Sequence, residues 1–259
     1  MKLLAAIFAL LRTALIVAMQ YRASFWGEAS MAVLWTAWTV LPLVVVYDQS
    51  PGVAGWTRQE SLLVVGFFII MDGVLSAFVE PNLRAVVEHV RKGTLDFVLL
   101  KPIDAQLMVS LHRTAPTKLP HALAGLALVL WVGLPMRPSP LNWVSSFVLL
   151  LAGLAILHAI WTLVVCTSFW FVRVDNLSYL LRSVLDAGRW PVSFYRGGIR
   201  FLLTFVLPVG LMTTWPALAL RGALAPSALA LSLGLALAFT ALARAGWSAA
   251  LRHYSSASS

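Results

Sequence analysis

SLLVVGFFIIMDGVLSAFV, residues 61–79, is the stretch that decides the fold. It holds one ionisable side chain, Asp72, and no proline. A helix crosses a bilayer with about 20 mostly apolar residues, so this segment has the length and character of a span. The rest of the chain agrees. Of its 259 residues, 60% are hydrophobic and 11% are charged, and the mean hydropathy is +0.86. Soluble domains carry about 25% charged residues. That shortage excludes an ordinary soluble enzyme and a disordered scaffold. The single cysteine, Cys166, excludes a disulfide framework and a thiolate metal cluster.

Five more stretches read as spans: Ala29–Tyr47, Leu119–Leu134, Trp143–Val172, Ile199–Trp215 and Leu224–Leu242. The expectation is an all-α polytopic membrane protein with six transmembrane helices. Residues 1–24 are apolar but interrupted. Lys2, Arg12 and Arg22 flank Leu4, Ile7, Leu11 and Leu15, which suits a helix lying in the membrane interface. A seventh span is the alternative, and a centred Arg12 would cost it about 2.5–3.5 kcal/mol. No small-residue cleavage site ends the segment, as a signal peptide would require. The organisation expected is an interfacial helix over 1–24 and one membrane domain over 25–259, with cytoplasmic loops near 80–118 and 173–200.

With six spans and both termini in the cytoplasm, sixteen of the 19 Lys and Arg residues fall inside. Only Arg58, Arg137 and Arg221 fall outside. This is a positive-inside distribution. It accounts for the formal net charge of +9 with no nucleic-acid partner, and a basic inner face suits anionic membrane lipids.

The most informative loop is EPNLRAVVEHVRKGTLDFVLLKPIDAQLMVSLHR, residues 80–113. Asn82 reads as an N-cap after Pro81. Leu83, Val86, Val87 and Val90 recur at helical spacing, with Arg84, Glu88, Arg91 and Lys92 on the other side. Gly93 stands where a left-handed C-terminal cap belongs. Thr94 reads as the cap of a second short helix through Leu95, Asp96, Phe97, Val98 and Leu99, which Pro102 interrupts. Such an amphipathic loop reads either as a helix lying on lipid headgroups or as a surface that inserts into a cytoplasmic partner.

The run RKGTLDFVLLKP, residues 91–102, resembles the R-x-G-x-L-D-x-x-L-L-x-P signature of permease subunits of type 2 ABC exporters, in a bacterial branch. The C-terminal LRHYSSA, residues 251–257, resembles the same branch. The resemblance covers the whole six-span pattern with its N-terminal interfacial helix. It implies a bacterial inner-membrane subunit that pairs with a second permease, the same or a related chain. It implies two copies of a separate ATPase subunit, carrying ATP and Mg, and a lipidic, glycan-linked or drug-like cargo moved outward. It also implies a coupling helix seated in that ATPase, here within Leu83–Leu99. The residues expected to serve it are Arg84, Val87, Glu88, Arg91, Lys92, Gly93, Thr94, Leu95, Asp96, Lys101 and Pro102. Re-entrant half-helices are implied before the last span, where Pro208, Pro216 and Pro226 stand. Independently, prolines there argue for broken helices.

This chain carries no cofactor of its own in this reading. A phosphate-cradling loop needs G-x-x-x-x-G-K-[ST], and Lys92-Gly93-Thr94 has those letters in the wrong order. Paired aspartates or H-E-x-x-H, as a membrane enzyme would use, do not occur. Asp72 is a candidate for the translocation path together with Trp35 and Trp38, because an acid within a span is costly. It also reads as a buried acid bonded to Ser76 or a neighbouring helix, or as the ion site of a gradient-driven secondary transporter. Arg189, Arg196 and Arg200 are candidates for a cytoplasmic entrance that attracts acidic headgroups. Arg182 and Asp186 read as a helix-surface pair. His121 and His158 read as core residues, with no metal site. Trp26, Trp56, Trp143, Trp190, Trp215 and Trp247 read as an interfacial belt.

Overall fold

The computed structural model describes Arg12, Thr13, Ile16, Gln20 and residues 22–50, 52–111, 113–171 and 175–254. The interfacial helix expected over 1–24 lies largely outside them. The regular structure is helical: α1 (Arg22–Gln49), α2 (Arg58–Val74), α3 (Glu80–Lys92), α4 (Asp96–Leu99), α5 (Ala105–Leu111), α6 (Leu119–Gly133), α7 (Pro140–Cys166), α8 (Asp175–Asp186), α9 (Gly197–Phe201), α10 (Val209–Leu220) and α11 (Pro226–Arg252). Five helical rods are long and apolar enough to span a membrane, and a bent pair makes a sixth. The two ends of the bundle are named here for their turns, the Trp56 end and the Gly93 end.

A tight turn, with positive φ at Ala54 and Gly55, joins α1 to α2. Thr57 starts α2 with a capping box: its Oγ accepts the Glu60 amide, and Glu60 Oε2 accepts the Thr57 amide at 2.9 Å. From Arg58 the helix runs 35 residues to Lys92. A wider π-turn over Leu75–Val79 interrupts it. Pro81 has no N–H to give the carbonyl of Ala77, four residues back. That carbonyl accepts the Ala115 amide instead, at 2.8 Å. The chain therefore continues past Pro81, and Asn82 does not cap a new helix as expected. Asn82 is buried, donates to the Phe78 carbonyl at 2.6 Å and exchanges hydrogen bonds with the Arg113 backbone. It fastens the loop after α5 to the rod.

The α2 rod is the buried centre. On one side it meets α6 through small residues. A Cβ on Gly66 would sit 2.7 Å from Val129, one on Gly125 2.7 Å from the Ile70 amide, and one on Gly73 would overlap the Ala122 backbone. Small residues let helix backbones approach closely and gain packing without a hydrophobic drive. On the other side α7 and α10 close the core, and Ser146 donates to the Pro216 carbonyl at 2.9 Å. Leu62 to Ile70 build one apolar cluster toward the Trp56 end. Met71, Leu75, Val79 and Leu83 join a second, with α7, α10 and α11, toward the Gly93 end. α1 and α11 are peripheral and expose most of their surface.

Ile199–Trp215 is not one straight span but a broken helix, as the prolines before the last span imply. Its helix ends in a π-turn at Leu202–Val206, and α10 departs at 84°. Pro208 cannot continue the ladder, and it pushes Leu207 out of helical geometry, to φ −120° and ψ 85°. Nor do all six tryptophans form a belt. Trp56 and Trp247 are buried within the bundle.

The close approach of α2 and α6 is testable. Gly73→Leu should destabilise the detergent-solubilised protein by about 1–3 kcal/mol through overpacking, read as a lowered melting temperature. Gly234→Leu, where a Cβ meets nothing within 4 Å, should leave it near the unsubstituted value.

Candidate functional site

Asp72, Ser76 and Glu80 follow one another at four-residue spacing, so the α2 rod carries them on one face. That face floors a groove of about 1260 Å³. The walls are α1, the end of α8 and the loop entering α6. Arg182, from α8, reaches across the floor. Its Nη2 donates to Asp72 Oδ1 at 2.9 Å and to Ser76 Oγ at 3.1 Å, and its Nη1 donates to Glu80 Oε2 at 2.8 Å. His121 of α6 places Nε2 3.2 Å from Asp72 Oδ2. One guanidinium thus joins two largely covered carboxylates, where charge pairing is stronger than on an open surface.

The remaining carboxylates of the groove are paired as well. Glu80 Oε1 takes Arg84, Glu88 lies 4.0 Å from Arg113, Glu28 takes Lys118 at 2.6 Å, and Asp186 takes Arg189 at 3.2 Å. The groove is therefore polar but electrically balanced. Glu28 bridges α1 to the foot of α6 rather than pairing with Arg22 on its own helix. Arg182 turns from Asp186, the partner expected for it, because a second-span carboxylate offers a better-shielded contact.

Of the residues read as path candidates, Asp72 is in the floor and Trp35 lines the wall. The α1 stripe facing the groove runs Gly27, Met31, Trp35 and Thr39, and Trp38 falls off it, 64% exposed on another face. The three arginines read as a cytoplasmic entrance do not act together. Arg189 stands at the rim, 5.4 Å above the Phe68 ring. Arg196 and Arg200 are exposed outside the groove. Between them and Arg189, Ser193 accepts a hydrogen bond from Trp56 Nε1 at 2.7 Å. That contact draws the segment toward the Trp56 end, opposite the expected loop.

The residues read as a coupling segment lie at the Gly93 end and divide by role. Gly93 has φ +64°, a left-handed cap that ends α3. Thr94 does not cap α4; its hydroxyl bonds His89 Nδ1 at 2.8 Å and closes the turn. Leu95 is fully buried, Val98 nearly so, and Val87 packs beside them in the second cluster. Arg84 and Glu88 face the groove. Arg91, Lys92, Lys101 and Pro102 are exposed, and Asp96 is half-buried. Among them stand Phe97, 70% exposed, and Leu100, 80% exposed, which the sequence reading did not single out. A four-residue helix is too short for periodicity to reveal its outer face.

His121 lies against Asp72, and His158 Nε2 lies 3.1 Å from Ser110 Oγ. Among the described residues, no group of three or more His, Cys, Asp or Glu side chains is placed to hold a metal ion.

Residues 33–258 match the family described as ABC-2 family transporter protein. No curated protein and no solved structure matches the chain.

The Arg182 bridge predicts its own test. Arg182→Met should lower stability by about 1–3 kcal/mol, because it removes the partner that two carboxylates share and leaves Asp72 to His121 and Glu80 to Arg84. Adding Asp72→Asn and Glu80→Gln should recover most of that loss, measured by thermal unfolding in detergent.

Proposed function

Because this chain belongs to the ABC-2 family of transporter proteins, we propose that it is the permease subunit of an ATP-driven exporter whose ATPase docks at the Gly93 end. The supporting observation is the Phe97–Leu100 tip. A cytoplasmic loop does not leave two large apolar side chains in water without a reason, and here their neighbours Leu95 and Val98 anchor the same turn in the core. The apolar tip, ringed by Arg91, Lys92 and Lys101, suits a groove with an acidic rim on a soluble partner. The left-handed cap at Gly93 holds the tip at a fixed angle to the second span, so a push on the tip reaches the groove floor at Asp72 through one continuous rod.

In this reading both termini lie in the cytoplasm of a bacterium, and the membrane is the inner one. The permease pairs with a second permease, of the same or a related chain. Two ATPase subunits supply ATP and Mg, and this chain holds neither. The groove beside α1 is the subunit's share of a path between paired permeases. Its paired charges and aromatic wall suit a cargo with a polar head and an apolar body, such as a lipidic, glycan-linked or drug-like molecule. The alternative, an ion-gradient carrier that loads at Asp72, asks that carboxylate to exchange its ion while Arg182 holds it.

The test is affinity purification from native membranes, followed by vanadate-sensitive ATP hydrolysis. A P-loop ATPase should co-purify with the unsubstituted chain. Phe97→Asp should reduce its recovery at least tenfold without changing the melting temperature, because Phe97 makes no core contact. Gly93→Pro should keep the chain in the membrane but lose the ATPase. Equal recovery of the ATPase in both variants would overturn the docking site.

A further inference from the structure

The C-terminal LRHY of residues 251–254 has no place in the function so far. In the structure it meets the coupling turn. Tyr254 lies past the last turn of α11 and packs in the cluster that holds Leu95, Val98 and Trp247. Its ring stands edge-on to Phe169 at 6.1 Å, and Phe169 stands edge-on to Trp247 at 6.0 Å. Its hydroxyl is sealed from solvent and faces the Leu95 and Asp96 amides at the start of α4. Burial and the nearby Asp96 carboxylate raise the phenol above its ordinary range, against the opposing effect of the Leu95 and Asp96 amides. The ring is therefore wedged against the turn itself. His253 leans on Trp170, with ring centroids 5.1 Å apart and planes tilted by 52°, beside the end of the fourth span.

A second contact reaches the same loop ten residues earlier on α11. Arg244 Nη1 donates to Asp104 Oδ1 at 3.0 Å and to Gln106 Oε1 at 3.0 Å, and its Nη2 to Asp104 Oδ2. A bidentate fork fixes orientation as well as distance. The Arg244 hydrogen bond holds Asp104 below the usual carboxylate range, with a further contribution from the Leu107 amide. A lowered carboxylate pKa means the fork is intact at neutral pH and is lost only as pH falls through that lowered value. Elsewhere α11 exposes most of its surface and packs mainly on α7.

We infer that Tyr254 and Arg244 are positioning residues that clasp the segment from Leu95 to Gln106 to α11, so that displacement of the tip by the ATPase is carried into the last span. The inference rests on the docking site proposed above. The coupling turn then has two outputs. One is the α2 rod through Gly93, and the other is α11 through the clasp. Two attachments make the segment and α11 move as one body. Either alone acts as a pivot.

The test uses the chain with the ATPase that co-purifies with it, in a Cys166→Ser background. Spin labels are placed at Ile103→Cys and Ala249→Cys, or at Arg137→Cys and Ala249→Cys; Ile103 is half exposed and belongs to neither the tip nor the clasp. Distances are read without nucleotide and after ATP–vanadate trapping. With the clasp intact, the 103–249 distance should stay constant while the 137–249 distance shifts. Tyr254→Ala combined with Arg244→Gln should reverse this. The 103–249 distance should shift on trapping, and the 137–249 shift should be lost. The melting temperature should fall, because the Tyr254 ring leaves its cluster, while recovery of the ATPase stays at the unsubstituted value, which separates lost coupling from lost docking. Tyr254→Phe alone should behave as the unsubstituted chain, because the ring rather than the hydroxyl fills the wedge. If the double variant keeps both unsubstituted patterns, the clasp does not transmit motion and the inference fails while the docking site stands. If no ATPase accompanies even the unsubstituted chain, both fail together.

Discussion

A carboxylate inside an apolar bundle must be neutralised or paired, and Asp72 is paired from two directions. Arg182 takes one oxygen and His121 approaches the other. Much of the architecture follows from that need. The Arg182 bridge draws α8 against the second span, and the short segment after α8 climbs along the same span to Ser193 and Trp56. The α10 helix then descends on the remaining face, where Gly188 leaves room for Val209. The His121 contact works with the close approach of Gly73 and Ala122 to set the height of α6 against α2. With these three elements placed, α1 packs Leu43 and Tyr47 on the apolar cluster near the Trp56 end, and toward the Gly93 end the groove opens between it and the floor.

Proline governs the second theme of the fold. At Pro81 the missing amide hydrogen would orphan a carbonyl, and a hydrogen bond from Ala115 repairs the loss, so the rod continues and carries the Gly93 turn at its tip. At Pro208 no such repair extends the helix, and the chain turns through 84°. The same residue thus gives a lever in one place and a corner in another. The difference lies in what reaches the freed backbone group. Rigidity of the lever matters for the proposed function, since a push at Phe97 and Leu100 travels only as far as the elements attached to that turn. Gly93 joins it to the second span, and Arg244 and Tyr254 join it to the last.

Much of this was legible before the fold was known, and the parts that were not share a cause. The apolar runs named their spans, and Asp72 stood out as the one acid within a span, with Ser76 as a candidate partner. Gly93 after a basic, amphipathic helix marked a left-handed cap, and it has that geometry. Arg182 was paired on paper with Asp186, four residues away. Its partner Asp72 is 110 residues distant. Asn82 and Thr94 were read as caps, the local use of such residues, and both bond elsewhere. Trp56 and Trp247 were read as interfacial by their place in the chain, and neighbours cover both.

The amino-acid sequence by itself determined that this chain lives in a membrane, roughly where it crosses, and which turn carries the basic segment that ends at Gly93. Those properties depend on hydropathy and helical propensity summed over neighbouring residues, and such sums are local. Tertiary structure alone decided that Arg182 closes the groove, that Arg189 parts from Arg196 and Arg200, and that Tyr254 and Arg244 grip the segment from Leu95 to Gln106. Each of those depends on a distance through space. Coulombic and packing energies act over a few ångströms, and only the folded chain brings residues far apart in sequence within that range.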